Sequence, residues 1–206
     1  MHADGSGGLG RRLPVALAVA FAVLAVIVEV AGDMPGDDWI LERLYDVFGT
    51  DLDDAMVAVG AVTNTVPIAA AWLVVVVTLF VTDRRPDAML FFVTVSVAMA
   101  GNRLLKEIVA RPRPDLRPSP EATSTFAFPS GHAANTLALA GAAYLIAPNA
   151  TWRRRVLVVG SLAVVLVGFS RVAISVHYPS DILASWLWVG AWLTFLWRRQ
   201  RLSASD

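Results

Sequence analysis

Three short polar stretches interrupt an otherwise apolar chain, and each carries side chains able to handle a charged group. In KEIVARPRP, Lys106 and Arg113 stand seven positions apart, close to two helical turns, although Pro112 and Pro114 disfavour continuous helix beyond Arg111. In FPSGHAANT, Pro129, Ser130 and Gly131 precede an apolar run. Ser130 suits an N-cap, Gly131 allows close backbone approach, and the first N–H groups with the positive dipole end favour a phosphate or sulfate. His132 then lies in the first turn, pointing at whatever binds there. In SRVAISVHYPSD, Arg171 ends one apolar run and Pro179 opens the next, which puts Asp181 in a first helical turn and His177 just before it. A carboxylate that accepts a hydrogen bond from one imidazole nitrogen fixes the tautomer and leaves the other nitrogen a lone pair, which suits a nucleophile or base.

The elements that must position these residues follow from composition. Of 206 residues, 56% are hydrophobic and only 17% charged, with a mean hydropathy of +0.60; this lies outside the range of ordinary soluble domains and predicts an integral membrane protein. A formal net charge of zero gives no basic field for nucleic acid. The lack of cysteine removes disulfides and thiol redox chemistry and argues against a structural metal site. Apolar runs long enough for the about 20 helical residues a hydrocarbon core demands cover roughly 13–31, 55–82, 87–109, 131–148, 156–176 and 181–197. The expected fold is therefore all-α, a six-helix transmembrane bundle in a multi-pass protein of the cytoplasmic membrane.

Basic residues orient it. Arg11 and Arg12, Arg84 and Arg85, Arg153 to Arg155, and Arg198, Arg199 and Arg201 fall at alternate ends of successive runs, and positively charged loops stay cytoplasmic. Both termini are expected in the cytoplasm, with residues 1–12 a disordered tail, 13–197 the membrane domain and 198–206 a second tail. The first run is longer than the roughly 7–15 residues of a secretory core and reads as an anchor. The stretches Asp33 to Asp54, Arg111 to Ser130 and His177 to Asp181 face outward. DDWILERLYDVF sets Ile40, Leu44 and Phe48 on one helical face beside Trp39, Leu41, Tyr45 and Val47, which predicts a short helix that either lies in the outer interface or simply packs on the bundle. Asn149-Ala150-Thr151 spells a glycosylation triplet in a cytoplasmic loop and is expected to stay unmodified.

Each polar stretch alone has an ordinary structural use. A border arginine snorkels to lipid phosphates, and a Ser-Gly pair caps a helix. Two histidines, a carboxylate and three cations on one outer face change the reading, because charge at a membrane border must be hydrated, paired or functional. A transporter would carry polar residues through the depth of several helices, and elsewhere only Glu29 and Asn64 stand out.

In order and spacing, the three stretches resemble the signatures of the type 2 phosphatidic acid phosphatase family, which shares its active-site pattern with vanadium haloperoxidases and membrane glucose-6-phosphatases. The family pattern K-x6-R-P, P-S-G-H, S-R-x5-H-x3-D is met by Lys106 with Arg113-Pro114, by Pro129-Ser130-Gly131-His132, and by Ser170-Arg171 with His177 and Asp181. Arg111 is left as an accessory cation. The resemblance implies hydrolysis of a lipid phosphate or diphosphate with no metal or other cofactor. His177 would be the nucleophile oriented by Asp181, and His132 the leaving-group acid. Lys106, Arg113, Arg171 and the backbone near Ser130 and Gly131 would bind phosphate. The expected partners are a membrane lipid substrate and the bilayer. Transfer of the phosphoryl group to an acceptor other than water, and action on a soluble phosphate, use the same residues and stay open.

Overall fold

The computed structural model describes residues 6–32, 34–121 and 125–203. Backbone groups in an apolar chain must be satisfied within their own segment, and the described residues accordingly form eight helices: α1 (Ser6–Ala31), α2 (Asp37–Phe48), α3 (Asp53–Ala61), α4 (Thr65–Val81), α5 (Arg85–Val109), α6 (Gly131–Leu145), α7 (Ala150–Ala173) and α8 (Pro179–Ser203). By length and apolarity, four segments among the described residues can cross a membrane: Arg12–Ala31, Asp53–Val81, Arg85–Val109 and Ala150–Ala173. Of the tails expected at 1–12 and 198–206, residues 1–5 and 204–206 lie outside the described residues, and the described remainder of each is helical.

The fourth of the six expected runs sits at the centre. Helix α6 packs on α5, α7 and α8, and α8 also packs along α1. Small residues allow this. Ala133, Ala134, Ala138 and Ala142 of α6 are fully buried, letting neighbouring backbones approach closely, as membrane helices do. Ala134 and Ala138 meet Ala98 of α5 and Val189 of α8 in one cluster. The outer helices expose their large apolar residues instead, such as Val15, Val19 and Val26 on α1 and Val159, Leu162 and Val165 on α7. That is the pattern of a chain whose solvent is hydrocarbon.

One expectation is corrected. The run 55–82 is not a single helix but breaks at 62–64 between α3 and α4. The Thr63 amide and hydroxyl both donate to Gly60 O, at 2.9 and 3.0 Å, and Asn64 turns to extended backbone with ψ of 161°. Hydropathy does not register such a break, because apolar residues dominate the run on both sides of it.

At one end, Arg84 donates to Ile146 O at 2.7 Å, joining the α4–α5 turn to the end of α6. There Asn149, from the glycosylation triplet, caps α7 by accepting from the Trp152 amide at 3.0 Å. At the other end lies α2, the predicted short helix. It buries Leu41 against Ala133, Val172, Tyr178 and Ile182, and exposes Trp39 and Val47.

Candidate active site

His177 lies in the short link between α7 and α8 and is 1% exposed. Pro179 starts α8, where its missing N–H costs nothing, and this places Asp181 in the first turn. Asp181 Oδ2 is 3.3 Å from His177 Nδ1 and accepts the Tyr178 amide at 2.9 Å. On the other side of the ring, Arg113 Nη1 is 3.3 Å from Nε2. A guanidinium only donates, so Nε2 is the acceptor and the ring proton sits on Nδ1, toward Asp181. Burial first, then the charges of Arg113, Lys106 and Arg171, hold the His177 pKa well below its usual value. The ring is thus neutral, with its lone pair at Nε2, on the wall of a cavity.

Asp181 is itself held. Arg111 Nη1 donates to Asp181 Oδ1 and to Ser180 Oγ, both at 2.8 Å, and Nη2 donates to Asp37 Oδ2 at 2.9 Å. Asp37 Oδ1 accepts the Ser180 amide at 3.0 Å. Arg111 also lies over the Tyr178 ring, 3.9 Å from its centroid, and donates from Nε to Gly32 O at 3.2 Å. The expected accessory cation is therefore a buried clamp between two carboxylates. The reason is local: Ala110, at φ 47°, ends α5 and turns the chain there. Asp37 carries no chemical signature in the sequence, where it reads only as an acid at a helix start.

The other cations rest on carbonyl oxygens. Lys106, in the last turn of α5, donates to Phe126 O and, at 3.2 Å, to Ala127 O. Arg113 donates to Thr125 O at 2.8 Å and to Val176 O at 2.6 Å. These contacts tie the loop between α5 and α6 to the loop before α8. Arg171 is fully buried; it donates to Glu121 Oε2 at 2.6 Å, to Met56 O and to Ser170 Oγ at 3.1 Å. It is not among the residues lining the cavity. A buried guanidinium needs a counter-charge, and the loop supplies Glu121, which sequence reasoning passed over. Gly60 makes the room, since a Cβ there would lie 2.0 Å from Arg171 Nη2.

The cavity, of about 400 Å³, is lined by Lys106, Arg113, Gly131, His132 and His177, together with Asn64 and Asn102. His132 Nε2 is 2.8 Å from Asn64 Oδ1. Ser130 stands at the N-cap position of α6 as expected, but its side chain makes no cap bond. Its Oγ is buried with no hydrogen-bond partner among the described residues, and its amide donates to Asp181 O at 3.2 Å. A Cβ on Gly131 would meet only Asn102 Nδ2, at 3.6 Å. Packing alone does not demand glycine there; its missing side chain keeps the cavity floor open. The structure thus gathers Lys106, Arg113, Gly131, His132 and His177 on one cavity, with Ser130, Arg171 and Asp181 behind its wall.

This arrangement offers a neutral, oriented imidazole and a second imidazole across a cavity edged with positive charge, which suits an anionic group. The chain that carries this arrangement is similar to known proteins. Phosphatidylglycerophosphatase B of Bacillus subtilis is 27% identical over 191 residues, covering 89% of this chain and 92% of that protein. Undecaprenyl-diphosphatase of Sulfolobus acidocaldarius is 30% identical over 134 residues, 61% of each chain. Lipid A 1-phosphatase of Rhizobium johnstonii is 34% identical over 118 residues, 53% of this chain and 45% of that one. In fold, the chain is similar to the crystal structure of a transmembrane PAP2-type phosphatidylglycerolphosphate phosphatase from Bacillus subtilis, with a TM-score of 0.80 at 24% identity over 93% of this chain and 97% of that one. A family profile matches residues 87–203, a span that contains every motif residue from Lys106 to Asp181. The chain therefore belongs to the PAP2 superfamily.

Proposed function

We propose that this membrane phosphatase of the PAP2 superfamily hydrolyses the phosphate or diphosphate headgroup of a lipid through a phosphohistidine on His177. The observation that carries the reading is the His177 ring, fixed between Asp181 and Arg113 with its Nε2 lone pair on the cavity wall. His177 Nε2 attacks phosphorus in line while His132 protonates the departing oxygen. Water, activated by His132 in its base form, then opens the phosphohistidine. Lys106 and Arg113, with backbone N–H groups near Ser130 and Gly131, spread positive charge over the phosphoryl oxygens and stabilise the transition state. Arg171 joins them when the incoming phosphate takes the place of Glu121. Asp181 stabilises the imidazolium character that develops on His177.

Six crossings follow from adding α6 and α8 to the four long apolar segments, with both termini cytoplasmic and the site at the outer interface. A lipid then keeps its tails among the helices while its headgroup meets the cations. Relatives named for phosphatidylglycerophosphate, undecaprenyl diphosphate and lipid A support a lipid substrate. Purified protein in detergent should release inorganic phosphate from phosphatidylglycerol phosphate or undecaprenyl diphosphate with no added acceptor, and His177→Ala should release none. Release only when an alcohol acceptor is supplied would instead mark a phosphotransferase. Faster turnover of a sugar phosphate in direct competition would move the substrate out of the membrane.

A further inference from the structure

Asn64 sits at the N-cap position of α4, where an asparagine side chain normally accepts an amide N–H from the first turn. It makes no such bond. Pro67 occupies the third helical position and has no N–H to offer, so part of the usual reward for capping is missing. The carboxamide turns instead into the cavity, where its Oδ1 meets His132 Nε2 at 2.8 Å. The same broken segment seats Arg171, through Gly60 and the Met56 carbonyl. A local rule broken at a helix start, with the side chain diverted to an imidazole, is what a positioning role looks like.

We infer that Asn64 is the positioning residue of His132: its carboxamide oxygen accepts the Nε2–H, fixes the ring plane, and leaves Nδ1 as the nitrogen that gives and takes the working proton. The inference rests on the reading of His132 as leaving-group acid. It extends the site to the break between α3 and α4, outside the three signature stretches and outside the matched span 87–203. No proton is consumed in this role. The Nε2–H stays with Asn64 through both half-reactions, while the proton on Nδ1 goes to the departing oxygen and is regained from the attacking water. The charged and titratable groups around His132 are Arg103, Lys106 and Glu107 of α5, Arg113, Arg171 of α7 and His177; none of them is substituted in the variants below.

Three measurements test it on the full chain in detergent. First, ring nitrogen shifts of 15N-histidine-labelled protein report the tautomer without any need for turnover, with His132→Gln assigning the signal. Neutral His132 should be Nε2–H in the parent and a mixture of tautomers in Asn64→Leu. An Nδ1–H ring in the parent, or an unchanged tautomer in Asn64→Leu, overturns the inference. Second, Asn64→Leu should slow lipid phosphate hydrolysis by about tenfold to a hundredfold, short of the roughly 10²–10⁴-fold that a general acid supplies. Phosphoenzyme formation from p-nitrophenyl phosphate, whose leaving group needs no acid, should keep the parent rate. Equal losses on both substrates would mark a merely structural role. Third, Asn64→Asp places an anionic acceptor on the ring, so the alkaline limb of the lipid rate profile should move up by about one pH unit or more; an unmoved limb counts against the contact. A parent protein with no phosphatase activity would sink the proposed function, and the tautomer measurement would still decide the role of Asn64.

Discussion

The two histidines are alike in sequence and differ in their partners, and the roles proposed for them rest on that difference. His177 stands between a carboxylate and a guanidinium, whereas His132 faces a neutral amide. His177→Ala should abolish turnover on lipid phosphate and on p-nitrophenyl phosphate alike and leave no acid-labile phosphoenzyme. His132→Ala should lose about 10²–10⁴-fold on lipid phosphate, yet still form phosphoenzyme from the activated ester and accumulate it, because the base for water is gone. Trapped phosphohistidine in His177→Ala, or equal losses in His132→Ala, would reverse the assignment. The depressed pKa of His177 also has a sign. Unfolded, the ring binds a proton below about 6.5; folded, it does so only at lower pH. Its contribution to stability is therefore fully present above about 6.5 and is lost as pH falls from there toward the folded value. The midpoint of thermal unfolding should thus fall more steeply on acidification for the parent than for His177→Gln; parallel curves would contradict a neutral buried ring.

Helices act here as brackets for one another. Helix α2 sends Asp37 under the start of α8, and through Arg111 it holds the carboxylate that orients His177. Asp37→Ala leaves Arg111 buried with one carboxylate fewer and should destabilise the protein by about 3–5 kcal/mol, with a drop in kcat through Asp181. A thermal midpoint equal to the parent's would show that α2 merely rests on the bundle. The broken second run is a bracket of the same kind. Gly60→Ala would drive a methyl group into the Arg171 guanidinium and should approach the loss expected for Arg171→Ala, on the order of 10²–10³-fold in kcat. Near-parent activity in Gly60→Ala would mean that Arg171 does not act from this seat.

For the molecule as a whole, orientation and metal use are the properties to measure. The chain has no cysteine, so single cysteines report topology without background. Asp115→Cys should react with a membrane-impermeant maleimide added outside intact cells, and Thr151→Cys only after lysis. The opposite pattern would invert the bundle and put the site on the cytoplasmic face. In the proposed mechanism cationic side chains serve the phosphate, so hydrolysis should survive excess EDTA, and vanadate, which adopts the trigonal-bipyramidal shape of phosphorus in transfer, should inhibit it. Loss of activity on chelation with recovery on adding Mg²⁺ would overturn the proposed chemistry.

Membrane character, the helical class and the phosphatase motifs were legible in the sequence because they rest on composition and on spacing along one chain. Lys106 with Arg113, and His177 with Asp181, lie within eight residues of each other, and a helix turn or a short link brings such pairs together whatever the rest does. What joined different parts of the chain was not legible. The bond from Asn64 to His132 spans 68 positions, that from Asp37 to Ser180 143, and that from Arg171 to Glu121 50. Nothing in a neutral amide or a helix-start acid marks its partner in advance. The break at 62–64 was hidden for a related reason: hydropathy measures what a segment can bury, while the break is made by hydrogen bonds of Thr63 to Gly60 and by the seat that Arg171 requires. Sequence alone thus decided which chemistry the chain carries. Tertiary structure decided which second layer of residues holds that chemistry in place, because hydrogen-bond partners far apart in the chain are chosen only when the helices pack.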